Sequence, residues 1–408
     1  MKIWIKILIG IVLGLVLGIL LPTSDGNLKL MALLAEIFLR IGRYLVFPLA
    51  FFSLVLGTFE LKREKKLLRV YARSLLYLLA SAFLLVVIGI LSVMIFSPER
   101  IPIIIEAEPA LTLPSLQEMV FAVFPKNLFQ VLVGSGEILL PLMVLAFLLG
   151  TNLTFDLRTT SPVTQLADSL NRIFYHINSL LTELFGFALV AISAAFLMQL
   201  RGTDLRLFKQ VLIILSIDCA LVIFAVYPGL LYLLGEKENP YKRLYALTAP
   251  ALVAFFTGDE YLSLGLLLKH GRENLGVPRR VGSAVYPLFA FFGRAGTALV
   301  AGVSFLLILK SYSSLEISFF QILWTLGFTL LISLTLGAVP GAGAFTAVAA
   351  LCALFGKGLQ EGYLILRPVV PLMISVGVLL DVVTSGLVSW LVARKEGVLE
   401  EPEAADFV

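Results

Sequence analysis

Runs of about 20 apolar residues, the length that crosses a bilayer core about 30 Å thick as a helix, recur along the whole chain. They fall at 3–22, 29–58, 71–96, 119–150, 174–199, 208–234, 245–268, 284–310, 319–354 and 363–393, separated by short polar stretches. With 59% hydrophobic and 14% charged residues in 408, the chain carries more apolar surface than a soluble core can hide. The reading is an all-α membrane protein. The first run, Lys2 to Leu21, has early lysines but no A-x-A-like site after it, so it is read as a first helix and not a signal peptide.

Charge placement sets the expected orientation. The loop from Pro22 to Asn27 has no basic residue, whereas the next holds Lys62, Arg63, Lys65, Lys66 and Arg69. By the positive-inside rule the N-terminus and the second loop are cytoplasmic, and the basic tail after Ala393 puts the C-terminus on the same side. Arg201, Arg206 and Lys209 run against strict alternation. Scattered loop charge without a basic domain argues against a nucleic-acid partner. Cys219 and Cys352 lie in separate apolar runs and form no disulfide or metal pattern. His176 and His270 are expected at the interface in solvent. No serine–histidine pair or twin-aspartate motif lies in facing spans, so the chain is read as not an enzyme, with no catalytic residues and no metal site.

The second half changes character. Segment 245–268 is interrupted by Thr257, Gly258, Asp259 and Glu260, with about 12 residues on each side, or about 18 Å of helix. Segment 319–354 is interrupted by Gly337 to Ala344, including Val339, Pro340, Gly341, Ala342 and Gly343. Non-helical backbone survives at membrane depth only inside protein or along a cavity, and paired interruptions point to a transporter's substrate site. Two re-entrant hairpins are expected. Helix 284–310, with Gly293 to Thr297, alternates with them, as does helix 363–393, with Asp381. The order hairpin, helix, hairpin, helix reads as an inverted repeat.

Several stretches resemble the glutamate transporter homologues, the dicarboxylate/amino acid:cation symporters. They are FLRIGRYLVFP from Phe38 to Pro48, SLVLG from Ser53 to Gly57, LGVPRR from Leu275 to Arg280, VPGAGA from Val339 to Ala344 and VARKE from Val392 to Glu396. The resemblance covers nearly the whole chain. It implies eight transmembrane helices plus two re-entrant hairpins in an elevator-type homotrimer of the cell inner (plasma) membrane. Scaffold helices 1–2 would lie in 1–70 and scaffold helices 4–5 in 119–199. A mobile domain would take helix 3 at 71–96 and the whole of 208–394, leaving 395–408 as a cytoplasmic tail.

The site chemistry departs from that family. Where its seventh helix reads Asn-Met-Asp-Gly-Thr, this chain has Gly293, Arg294, Ala295, Gly296 and Thr297. The last helix carries Ile374, Gly377, Val378, Asp381 and Ser385 where the family has Asp, Arg, Thr, Asn and Asp. A hard-cation site needs several oxygen ligands, so sodium coupling is not expected, although Tyr77 and Ser81 resemble a family sodium site and Gly293, Asp381 and Ser385 stand at ion positions. A charge in an apolar helix costs at least about 2.5–3.5 kcal/mol, so Arg294 needs a partner among Asp381, Asp259 and Glu260, or an anionic substrate. Asp259 and Glu260 stay open between binding a cationic substrate, carrying a coupling proton and neutralising Arg294. Asp218, deep in helix 6, stays open between a structural hydrogen bond and a functional titration. Arg40 and Arg43 are read as packing or interfacial residues.

The expected function is secondary active, symporter-like transport of a small polar or anionic solute, such as a dicarboxylate or amino acid. Proton coupling or a fixed Arg294 charge would stand in for sodium, and no cofactor is required. The substrate set is Thr257, Gly258, Asp259, Glu260, Arg294, Thr297, Val339 to Gly343 and Asp381. The rival reading is an anion channel or uncoupled exchanger on the same fold.

Overall fold

A computed structural model describes residues 2–101, 111, 113–127, 131, 139–235, 239–312, 317–339 and 343–401. All regular structure among them is helical: α1 (Ile3–Leu20), α2 (Asp25–Arg63), α3 (Leu67–Phe96), α4 (Leu116–Val123), α5 (Leu140–Asn152) and α6 (Leu157–Arg201). Then come α7 (Lys209–Leu221), a π-helical turn (Val222–Val226), α8 (Tyr227–Leu234), α9 (Pro240–Ala246), α10 (Thr248–Thr257), α11 (Glu260–Glu273), α12 (Arg279–Phe292) and α13 (Ala295–Tyr312). The last are α14 (Phe319–Thr335), α15 (Ala344–Phe355), a 3₁₀ segment (Gly362–Val369) and α16 (Val370–Lys395).

Among the described residues seven helical stretches are long and apolar enough to cross a bilayer. An eighth was expected within 119–150; there the described chain forms the separate helices α4 and α5, and 128–130 and 132–138 lie outside the described residues. Three elements differ from the sequence reading. The polar stretch before 174 is helical, because Asp156 caps it by accepting from the Arg158 and Thr159 amides and Asp168 accepts from Arg172 one turn on, at 2.9 Å. The apolar run 208–234 contains the π-turn. The run 284–310, read as one helix, is broken after Phe292.

Close glycine contacts fix how the N-terminal helices pack. A Cβ at Gly10 would sit 1.9 Å from the Gly186 carbonyl of α6, and one at Gly14 would sit 2.3 Å from that of Val190. Both backbones approach too closely for any side chain. Gly10→Leu is therefore expected to force α1 off α6 and to destabilise the chain by about 1–3 kcal/mol through overpacking, read as a lower melting temperature in detergent. An unchanged midpoint would show that α1 contributes little to the fold.

α2 packs on α5, α6, α11 and α12, while α13 is enclosed by α3, α14, α15 and α16. The α12–α13 stretch is the most buried of the span-length elements, 94% in its apolar window, which places it at the centre. At one end of the molecule ion pairs join the groups: Arg279 meets Glu60 at 2.6 Å and Asp168 at 2.7 Å, and Arg280 meets Glu64 at 2.7 Å. Arg73 meets Glu396 at 2.5 Å.

Candidate substrate site at the helix breaks

The first break is built by its own residues. α10 ends at Thr257, whose hydroxyl donates to the Val253 carbonyl (2.8 Å) and accepts from the Asp259 amide (3.2 Å). Gly258 then takes a left-handed conformation, φ +59°, which favours glycine. Asp259 caps α11, one carboxylate oxygen accepting from the amides of Tyr261 (3.0 Å) and Leu262 (3.1 Å). Its other oxygen accepts from the Arg43 guanidinium of α2. Arg43, expected to serve packing or the interface, thus reaches the hairpin tip instead, because the cap aims Asp259 toward α2.

Asp259→Asn keeps a capping oxygen but removes the charge. Amide hydrogen exchange at Thr257 to Leu262 is expected to rise several-fold in this variant, since the tip loses its tie to α2. Unchanged exchange would mean the cap alone orders the tip.

Glu260 opens α11 and points inward. Its carboxylate lies 3.2 Å from the Arg294 guanidinium, and both side chains are buried, at 9% and 6% exposure. Of the three candidate acids, Glu260 is thus the one placed against Arg294.

The second break lies at Gly293 and Arg294, between α12 and α13. The start of α13 leaves backbone N–H groups without helical acceptors, and Asp381 of α16 meets them. Its carboxylate accepts from the Gly296 amide at 2.6 Å, the Thr297 amide at 3.3 Å and the Thr297 hydroxyl at 2.5 Å. An acid there also suits the positive end of the helix dipole. Gly296 permits the approach, since a Cβ on it would stand 2.3 Å from Leu380 Cβ and 2.5 Å from the Gly377 carbonyl.

The third break lies between α14 and α15. Gly337 presses on Phe291 at the end of α12, where a Cβ would fall 2.6 Å from its carbonyl. Val339 is partly buried and Gly343 buried; Pro340, Gly341 and Ala342 lie outside the described residues. A Cβ on Gly258 would meet Ile374 at 2.8 Å, and one on Gly343 would meet it at 3.5 Å. The turn at Gly258 and the start of α15 at Gly343 therefore both approach Ile374 of α16. The first two breaks thus meet at a buried guanidinium–carboxylate pair, and the third approaches the same helices through Phe291 and Ile374.

The remaining ion candidates sit apart from this hydrogen-bond network. Ser81 donates to the Leu78 carbonyl of its own helix at 2.9 Å, and Tyr77 is partly buried on α3. Ser385 lies one turn beyond Asp381, 4% exposed, and its hydroxyl has no hydrogen-bond partner among the described residues. His270, expected in solvent, is instead 2% exposed, with Nδ1 3.0 Å from the Leu266 carbonyl; α11 continues past it and buries it. Beyond Arg43, sequence reasoning missed the buried hydroxyl pair Tyr227–Thr384 beside Asp381, for which neither residue type gives a local signal.

The model of the sodium:dicarboxylate symporter family matches residues 3–395. The chain belongs to this family. Among curated proteins it is similar to a proton/sodium-glutamate symport protein of Bacillus caldotenax, 23% identical over 78% of this chain and 77% of the relative. A protein of the same description from Geobacillus stearothermophilus is 22% identical over 68% of each. The neutral amino acid transporter B(0) of Bos taurus is 25% identical over 76% of this chain and 62% of its own length. Family membership places the chain among membrane transporters. The helix breaks described above fall inside the matched region.

Proposed function

We propose that this chain is a secondary active transporter that carries a small polar or anionic solute, such as a dicarboxylate or an amino acid. The observation that carries the reading is the meeting of two helix breaks at the buried Arg294–Glu260 pair, with the third break resting on Phe291 and Ile374 of the neighbouring helices. Broken backbone at membrane depth is tolerated where it is enclosed in protein or lines a cavity, and in transporters such breaks mark the substrate site. The two hairpins are re-entrant in this reading, and an eighth span passes through 119–150. The domain that moves as an elevator comprises α3 and 208–394, the trimer is built on α1, α2 and 119–199, and both termini face the cytoplasm.

Solute chemistry follows from the donors. α15 starts at Gly343 without a side-chain cap, so its first amides can receive a carboxylate, favoured by the helix dipole. Arg294 supplies a fixed positive charge at the second break, screened by Glu260. The names of the similar proteins, which couple glutamate to protons or sodium or carry neutral amino acids, fit the same solute range. Protons suit the coupling role better than sodium. Asp381 spends both carboxylate oxygens on α13, and Gly293 and Ala295 occupy positions where the family has an amide and a carboxylate.

The test is uptake of radiolabelled dicarboxylates and amino acids into proteoliposomes, with pH or sodium gradients imposed separately. Saturable uptake driven by an inward proton gradient is the expected result. Ionic currents without saturable uptake would overturn it in favour of a channel, and uptake that needs sodium would overturn the coupling assignment.

A further inference from the structure

A second acidic centre lies outside the hairpin site. Asp218, on α7, is fully buried. One of its oxygens, Oδ2, lies 2.8 Å from the Ser92 hydroxyl of α3, and the other, Oδ1, has no hydrogen-bond partner among the described residues. The Ser92 hydroxyl also lies 2.9 Å from the Gly89 carbonyl of its own helix. A hydroxyl has a single proton to donate. If Ser92 gives it to Gly89, the contact with Asp218 is a hydrogen bond only when Asp218 is itself the donor, as a carboxylic acid. If Ser92 turns to donate to a carboxylate, the Gly89 carbonyl loses this side-chain donor and Oδ1 stays bare.

The surroundings favour the acid. The elements packed on α7 are α3, α13, α16, the 3₁₀ turn Leu205–Phe208 and the π-turn. Their charged and titratable groups are Arg69, Tyr71, Arg73 and Tyr77 on α3, Arg206 on the 3₁₀ turn, Lys310 and Tyr312 on α13, and Asp381, Arg394 and Lys395 on α16. The π-turn has none, and Tyr227, just after it, bonds to Thr384. Arg69 and Arg73 are paired with Glu396, and Lys310 donates to Ser97 at an exposed position. Asp381 is held by α13. Cys219 is the neighbour on α7 itself. No ion pair reaches Asp218 among the described residues, and an unpaired buried carboxylate costs several kcal/mol. The π-turn begins at Val222, whose amide is shared between the carbonyls of Asp218 and Cys219. Such turns inside helices are frequent at functional sites.

We infer that Asp218 is a proton-binding site, separate from the Arg294–Glu260 centre, whose proton is exchanged with water during the transport cycle. On release the carboxyl O–H bond breaks, the proton passes to water, and the Ser92 hydroxyl rotates from Gly89 to the new carboxylate. Rebinding reverses each step. The coupling role rests on the transporter reading above; the occupancy by a proton does not.

The experiment has two arms. Infrared difference spectra of the purified protein in lipid, titrated from neutral to alkaline pH in H₂O and D₂O, should show a protonated-carboxyl C=O band that is absent in Asp218→Asn and retained in Glu260→Gln. Asparagine is isosteric and keeps a partner for Ser92, and its melting temperature checks the fold. A spectrum of Asp218→Asn that keeps every such band overturns the site. In proteoliposomes, Asp218→Asn is expected to retain solute exchange while losing acceleration by an inward proton gradient, and retained acceleration overturns the coupling role. A wild-type protein that carries the band but moves no solute would overturn the transporter reading and with it the coupling role, while the infrared arm still decides the proton site.

Discussion

Arg294→Met is expected to lose solute uptake entirely and to destabilise the protein by about 3–5 kcal/mol, because removing one partner leaves the other charge buried and uncompensated. The stranded group is Glu260, 9% exposed and 3.2 Å from the guanidinium in the native arrangement. Pairing the change with Glu260→Gln separates the two effects. The double variant carries no uncompensated charge at this pair, so its melting temperature should return most of the way to wild type while uptake stays absent. Recovery of uptake in the double variant would show that the pair is a structural bridge and that solute does not meet Arg294. A single variant as stable as wild type would show that Glu260 finds another partner or takes up a proton. Melting in detergent and saturable uptake in proteoliposomes read these outcomes independently.

Asp381→Ala is expected to have the next largest effect. It deprives the Gly296 amide, the Thr297 amide and the Thr297 hydroxyl of their common acceptor. Hydrogen bonds to a charged group contribute about 1.5–3 kcal/mol each, and an acid at a partly buried helix N-terminus adds up to about 2 kcal/mol. Losses of this kind do not sum, and about 3 kcal/mol is the expected outcome for the set. The start of α13 should fray, visible as faster amide exchange at Ala295 to Leu299 and as reduced uptake, because Arg294 is anchored by the residues that follow it. Asp381→Asn retains one acceptor oxygen and should lose less than half as much. Equal losses for Ala and Asn would assign the whole effect to charge; a loss below about 1 kcal/mol for both would remove Asp381 from the account of the break.

Much of the architecture was legible locally. Thr257 to Glu260 announced the first interruption, and the structure builds the turn from the hydroxyl, glycine and capping acid written there. Gly337 to Gly343 announced the other interruption. The break at Gly293 was not legible, because an arginine and two glycines within an apolar run are compatible with a continuous helix. What breaks it is an acceptor that arrives from Asp381, 85 residues away in sequence, and offers the freed amides a partner. His270 likewise read as interfacial because it precedes a polar loop, yet α11 carries it inside the molecule. The long amphipathic start of α6 was hidden by its polarity, which an Asp156 cap and an i,i+4 ion pair compensate.

The recurrent membrane-length apolar runs, the two interruptions in the second half and the family motifs were determined by the sequence itself, since apolar length and helix-breaking residues act over a few neighbours. Which charge meets which was decided only by the tertiary structure. Asp259 stands outside α11 as its extended N-cap while Glu260 is the first helical residue, so the two, adjacent in the chain, face different neighbours. Asp259 caps α11 and holds Arg43, while Glu260 turns inward to Arg294. Asp381, a nominal partner of that arginine, instead secures the start of α13. Those assignments depend on how α2, α11, α13 and α16 are rotated against one another, and close packing of the whole molecule sets those rotations.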